Sequence, residues 1–118
     1  MEVSMENKFQ QKTKLVFCPT GDLTAVTLPE IRVQLKELVS RGPQELVIDL
    51  VNTRVIDSAG IGLLVATYNS LHRLEGAMSL INVSQDLLEL LKAFRLDKHF
   101  SISGDPRLAE FVRMKSNA

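Results

Sequence analysis

Apolar positions along the chain fall into blocks that switch between two spacings. "ELVIDL", residues 45–50, is almost continuously apolar and rich in β-formers, as expected of a strand covered on both faces. "AMSLINV", residues 77–83, repeats that pattern. Between them Ile61, Leu64, Val65, Tyr68 and Leu71 recur at helical spacing and predict a helix from about Ser58 to Leu74, stopped by Gly76. Upstream, Leu28, Ile31, Leu35, Leu38 and Val39 mark another helix within "GDLTAVTLPEIRVQLKELVSRG". Pro29 is tolerated only in its first turn, Thr24 or Thr27 is available as its cap, and Thr27 with Glu30 fits a capping box. Gly42 and Pro43 end it. Ser84 is the expected cap of "QDLLELLKAF", with Leu87, Leu88, Leu91 and Phe94 facing inward. "KHFSIS" reads as a short last strand, and Asp105-Pro106 as the start of a closing helix carrying Leu108, Phe111 and Val112. At the other end, "EVSMENKFQ" and "KLVFCP" read as a terminal β-hairpin whose first strand lies at an edge.

Strands alternating with helices after that hairpin predict an α/β fold: a mixed, mostly parallel sheet with helices packed against it. At 118 residues the chain is read as one domain, 1–118, without linker or repeat. Hydrophobic residues at 45% and charged residues at 24% suffice for a core without metal or disulfide. Formal net charge is zero and the basic residues form no run, which argues against a nucleic-acid partner. The single cysteine, Cys18, has no internal disulfide partner and is expected to be a small core residue. The polar N-terminus lacks a leader and no apolar run is long enough to span a bilayer, so the chain reads as cytoplasmic.

"RVIDSAGIGLL", residues 54–64, runs against helix propensity, because Gly60 and Gly62 sit where the second helix begins. In open α/β sheets functional groups gather outside the carboxyl ends of the strands, and this loop leaves the 45–50 strand there. Ser58 is positioned to cap the helix, beside first-turn amides that attract an anion. Gly60 and Gly62 allow close backbone approach, either to a neighbouring strand or to a docking partner. Physical reading of these residues leaves both options open: an N-cap with packing glycines, or an accessible phosphate-tolerant hydroxyl.

The stretch "VIDLVNTRVIDSAGIGLLVATYNSLHRLEGAMSLINVSQDLLELLKAFRLDKHFSI" resembles the STAS domain of bacterial anti-sigma factor antagonists. The likeness continues upstream through "LTAVTLPEIRVQLKELV", after the Gly21-Asp22-Leu23 turn, and covers nearly the whole chain. Its specific element is the pattern D-S-[ST]-G-[LI]-G, matched by Asp57, Ser58, Gly60, Ile61 and Gly62; Ala59 departs from it. The resemblance implies a STAS-like domain in which Ser58 is phosphorylated by an anti-sigma factor that is itself a serine kinase. Asp57 positions the hydroxyl. The unphosphorylated form binds the anti-sigma factor and frees a sigma factor, and a serine phosphatase restores it. The implied docking face comprises Asp57, Ser58, Ala59, Gly60, Ile61 and Gly62, with Gly21, Asp22 and Thr24 adjacent. The alternative within the family is a scaffold or subunit, stressosome-like or in lipid transport, without a phospho-switch.

An enzymatic reading makes Ser58 a nucleophile with His72 or His99 as base. Fourteen residues along one helix separate Ser58 from His72 by about 21 Å, and "IDSAG" is not a nucleophile elbow. Hydrolysis is therefore not expected. No ligand pair at short spacing suggests a metal, no glycine-rich phosphate loop suggests a nucleotide cofactor, and both histidines are expected at the surface.

Overall fold

A computed structural model describes residues 13–104. The expected first hairpin strand and the expected closing helix lie outside the described residues. Four strands, β1 (Lys14–Phe17), β2 (Glu45–Asp49), β3 (Ala77–Val83) and β4 (Ser101–Gly104), form one sheet in the order β1-β2-β3-β4. All three pairings are parallel. The connections carry α1 (Leu28–Ser40), α2 (Ser58–Arg73) and α3 (Gln85–Ala93), the last followed by a 3-10 turn at Leu96–Lys98. Right-handed crossovers advancing in one direction along a sheet bring their helices to one face. Leu46, Ile48, Met78 and Leu80 from the sheet accordingly meet Leu35, Leu64, Leu71, Leu87 and Leu91 from the helices in a single buried cluster. Val47, buried between Leu46 and Ile48, points to the opposite face by strand alternation. The consecutive apolar run of β2 thus has the two-sided burial its pattern predicts.

Helix ends show where local signals acted as expected and where they did not. Ser84 caps α3, its hydroxyl accepting from the Leu87 amide at 3.3 Å. α2 stops through a left-handed turn, but the residue with positive φ is Glu75, not Gly76. The Glu75 amide donates to the His72 carbonyl at 3.0 Å and the Gly76 amide to the Leu71 carbonyl at 2.7 Å, closing a Schellman motif. Glycine is required at 76 for a different reason: a Cβ there would lie 2.6 Å from the Pro43 carbonyl oxygen. Close passage past Pro43 lets the Ala77 amide reach the Gln44 carbonyl at 2.8 Å and start β3 in register with β2.

Three local expectations are corrected. Thr27 precedes α1 but makes no capping-box bond with the helix; its hydroxyl donates to the Asp22 carbonyl at 2.6 Å and accepts from the Thr24 amide at 3.0 Å, folding the preceding loop onto itself. Phe94 is exposed because α3 ends at Ala93, which takes Phe94 off the inward stripe. Cys18 is exposed rather than part of the core, since β1 ends at Phe17 and the chain leaves the sheet there. Pro29 does sit in the first turn of α1.

Replacing Gly76 by alanine forces a methyl against a backbone carbonyl that cannot rotate away. A loss of about 1–3 kcal/mol is expected, read as a lower urea midpoint with an unchanged slope.

Candidate functional site

Two strand-to-helix loops, 18–27 before α1 and 50–57 before α2, run side by side at the carboxyl edge of the sheet. Leu23 and Ile56 form an isolated parallel bridge between them, and both side chains are buried in the core. The Leu23 amide donates to the Val55 carbonyl at 3.0 Å, and the Asp57 amide donates to the Leu23 carbonyl at 3.1 Å. By strand alternation the flanking side chains, Asp22 and Thr24 on one loop and Val55 and Asp57 on the other, face outward. Asp22 Oδ1 accepts from the Arg54 and Val55 amides at 2.9 and 3.1 Å. The buried Thr53 hydroxyl donates to the Gly21 carbonyl at 2.8 Å.

Asp57 completes the stitching with both oxygens. Oδ1 accepts from the Gly60 amide at 2.9 Å, capping α2, and Oδ2 accepts from the Ala25 amide at 2.9 Å. These two amides, Gly60 first and Ala25 second, hold the Asp57 carboxyl below its ordinary range. The cap of α2 is therefore Asp57 and not Ser58. Asp57 has the extended backbone of a capping residue, whereas Ser58 is already the first helical residue. An anion is thus already in place at this helix start: the Asp57 carboxylate occupies the Gly60 amide. Ser58 is exposed, and its hydroxyl is not engaged in the cap.

The two glycines have different reasons to be there. A Cβ on Gly60 would collide with the Leu23 carbonyl oxygen and lie 2.8 Å from Ile56 Cγ2, so the first turn of α2 can approach the neighbouring loop only with glycine. Gly62 is exposed, and a Cβ there would meet nothing within 4 Å. The fold does not need it. Ile61, grouped by sequence with the docking residues, is 8% exposed and belongs to the core, and Gly60 is buried with it. Ala59 is half-buried and packs against that core. The edge therefore gathers Gly21, Asp22, Thr24, Asp57, Ser58 and Gly62 at or near the surface.

Sequence reasoning missed Val26, which is 89% exposed on the turn between Thr24 and Thr27. That turn is held by the Ala25–Asp57 bond and by the Thr27 hydroxyl. The available signal was Val26 standing two positions before the stripe that begins at Leu28. Both histidines lie toward the other end of α2. His72 stacks on Tyr68 with ring centroids 5.7 Å apart, and His99 packs on the same ring at 5.8 Å. Tyr68 is ten residues, about 15 Å, along α2 from Ser58, so neither imidazole is brought to the serine. Among the described residues no cluster of three His, Cys, Asp or Glu side chains is placed to hold a metal, and no helix is long and apolar enough to cross a membrane.

A carboxyl group held low by native amides stabilises the fold above its unfolded value of about 3.9, and that contribution fades as pH falls through the lower folded value. Asp57→Asn is therefore expected to lower the denaturation midpoint at neutral pH, with the gap to the parent protein narrowing below about pH 4. A gap that stays constant down to acid pH would show that the carboxylate charge is not what the amides stabilise.

Comparison with known proteins places the fold and the family. The anti-sigma-B factor antagonist of Staphylococcus epidermidis is 27% identical over 84 residues, covering 71% of this chain and 69% of that protein. An anti-sigma factor antagonist from Mycobacterium paratuberculosis superposes with a TM-score of 0.71 at 24% identity, covering 87% of each chain. The Bacillus cell fate determinant SpoIIAA, in its phosphorylated form, superposes with a TM-score of 0.62 at 17% identity over 87% of this chain and 94% of that one. The sequence profile of the STAS domain matches residues 4–110, and the chain belongs to the STAS domain family.

Proposed function

We propose that this protein is an anti-sigma factor antagonist acting as a phospho-switch. Unphosphorylated, it binds an anti-sigma factor with serine kinase activity, and a sigma factor is released. Phosphorylation of Ser58 ends the binding and a serine phosphatase restores it. One observation carries the reading: Ser58 stands exposed at the start of α2 with its hydroxyl left out of the cap, because Asp57 does the capping. A kinase can reach such a hydroxyl without unfolding the helix.

The electrostatics support loss of binding on modification. A phosphoserine adds about 1.5 to 2 negative charges near neutral pH. At residue 58 they stand next to the Asp57 carboxylate, which its two amides keep ionised. Because Asp57 already holds the Gly60 amide, the phosphate is directed outward into the docking face rather than into the helix start. A partner closing over that edge must then desolvate two adjacent anions. Val26 adds an exposed apolar side chain on the turn that Asp57 holds, a turn too well bonded to lose much entropy when covered. Gly62 keeps the next turn of α2 flat, at the expense of helix propensity.

A second reading, a STAS scaffold or subunit that is never phosphorylated, has Ala59 in its favour. That position carries a hydroxyl in the motif that the chain otherwise matches.

Incubation with anti-sigma factor kinases and ATP decides between them. Phosphate is expected on the parent protein and absent from Ser58→Ala; equal incorporation in both refutes the assignment. In binding assays Ser58→Ala should match the parent while Ser58→Asp weakens the complex by about tenfold or more. Equal affinities favour the scaffold.

Gly62→Ala separates fold from function. It should raise stability by about 0.5–1 kcal/mol while weakening anti-sigma factor binding. Higher stability with unchanged affinity would remove Gly62 from the docking face.

A further inference from the structure

α1 and α2 both leave the carboxyl edge of the sheet and pack side by side. Between them lies a cavity of about 200 Å³. Leu35 and Leu63 form its buried floor, Val39 and Ala66 line its sides, and Arg32 and Lys36 stand on the α1 rim. Both cations are exposed. Among the described residues the ion pairs are Lys14–Glu45 and Arg41–Glu37, so neither Arg32 nor Lys36 has a carboxylate partner. On the same helix Glu37, next to Lys36, is engaged by Arg41 at 2.6 Å, and Glu30, two residues before Arg32, forms no ion pair with it. Like charges four residues apart oppose the helix they stand on, and an anion from outside relieves that repulsion.

The rest of the groove narrows the kind of anion. Its volume is below that of an enclosed small-ligand pocket, roughly 300 Å³ and upward, so it suits side chains inserted from a larger body. Its floor is Leu35, Leu63 and the buried Thr67, whose hydroxyl is spent on the Leu63 carbonyl, and its rim is basic, which matches an amphipathic helix laid in a groove. Ala66 is one helical turn beyond Gly62, which is one turn beyond Ser58, so the groove continues from the edge where the proposed partner docks.

We propose that this groove receives an acidic amphipathic helix of the partner that engages Ser58. Its carboxylates face Arg32 and Lys36, and its apolar side covers Leu35, Val39, Leu63 and Ala66. The proposal rests on the reading of Ser58 as a docking centre and adds the chemistry of what docks beside it.

The test uses two probes on the whole chain. The first is an 18-residue helical peptide with Leu and Ala on one side and Glu on the other, with a twin carrying Lys for every Glu, followed by amide NMR shifts. Shifts at Arg32, Lys36, Val39 and Ala66 are expected with the acidic peptide. They should weaken with salt, be absent with the basic twin and vanish in the Arg32→Glu, Lys36→Glu double variant. No shifts, or equal shifts with both peptides, overturn the proposal. So does a response to sodium laurate alone, which would assign the groove to an anionic amphiphile.

The second probe is a purified anti-sigma factor kinase. Lys36→Glu, checked for unchanged folding by circular dichroism, should weaken its binding about tenfold. Normal binding by Lys36→Glu alongside impaired binding by Ser58→Asp would sink the groove and leave the switch standing. Peptide binding without any kinase acting on Ser58 would sink the switch and support the groove.

Discussion

The backbone of Leu23 is the point on which the site is built. Its side chain is buried in the core, while its amide and carbonyl are both bonded to the loop before α2. A carbonyl held there leaves no room for a side chain on the first turn of that helix, so residue 60 must be glycine. The same contact brings Asp57 within reach of the Ala25 amide, and Asp57 then ties the helix start to the neighbouring loop. Fixing both loops exposes Ser58 on a rigid edge. Little adjustment is then needed when a partner arrives, which lowers the entropic cost of binding.

The same geometry decides the local electrostatics. A helix start attracts anions, and an unoccupied one would draw a phosphate inward. Here an internal carboxylate takes that place, held ionised by the Gly60 and Ala25 amides. A new charge on Ser58 therefore adds to an existing one. The proposed switch works by making one patch of surface costly to desolvate, with the fold unchanged beneath it. Arg32 and Lys36 give the adjoining groove the opposite sign, so the proposed docking face combines a serine that must stay unmodified with a basic rim.

Distance along α2 separates chemistry from recognition. Tyr68, His72 and His99 cluster well down the helix, where their rings pack on one another. Both imidazoles are thus kept away from Ser58. The serine remains what its surroundings make it, an exposed hydroxyl at the carboxyl edge of the sheet.

Much of the architecture was legible in the residues because it depends on short-range rules. The apolar runs of β2 and β3, the helix stripes apart from Phe94, the Ser84 cap and the place of Pro29 follow from periodicity and local bonding, which a linear chain displays directly. The resemblance carried by Asp57, Ser58, Gly60, Ile61 and Gly62 likewise marked the family. What the linear order did not display were contacts between segments more than thirty residues apart. Two glycines in one turn look alike in sequence, yet only the approach of the Leu23 carbonyl makes Gly60 obligatory and leaves Gly62 free. Asp57 and Ser58 are equally good caps by type; the extended backbone of Asp57, bonded across to Leu23 and Ala25, settled which one caps. Cys18 and Val26 are apolar by composition and exposed by position, because the chain has left the sheet where they occur. Sequence alone determined the elements and their order, since each is set by neighbours a few residues away. Tertiary structure decided which atoms face solvent at the site, since that depends on where a distant loop lies against the start of α2.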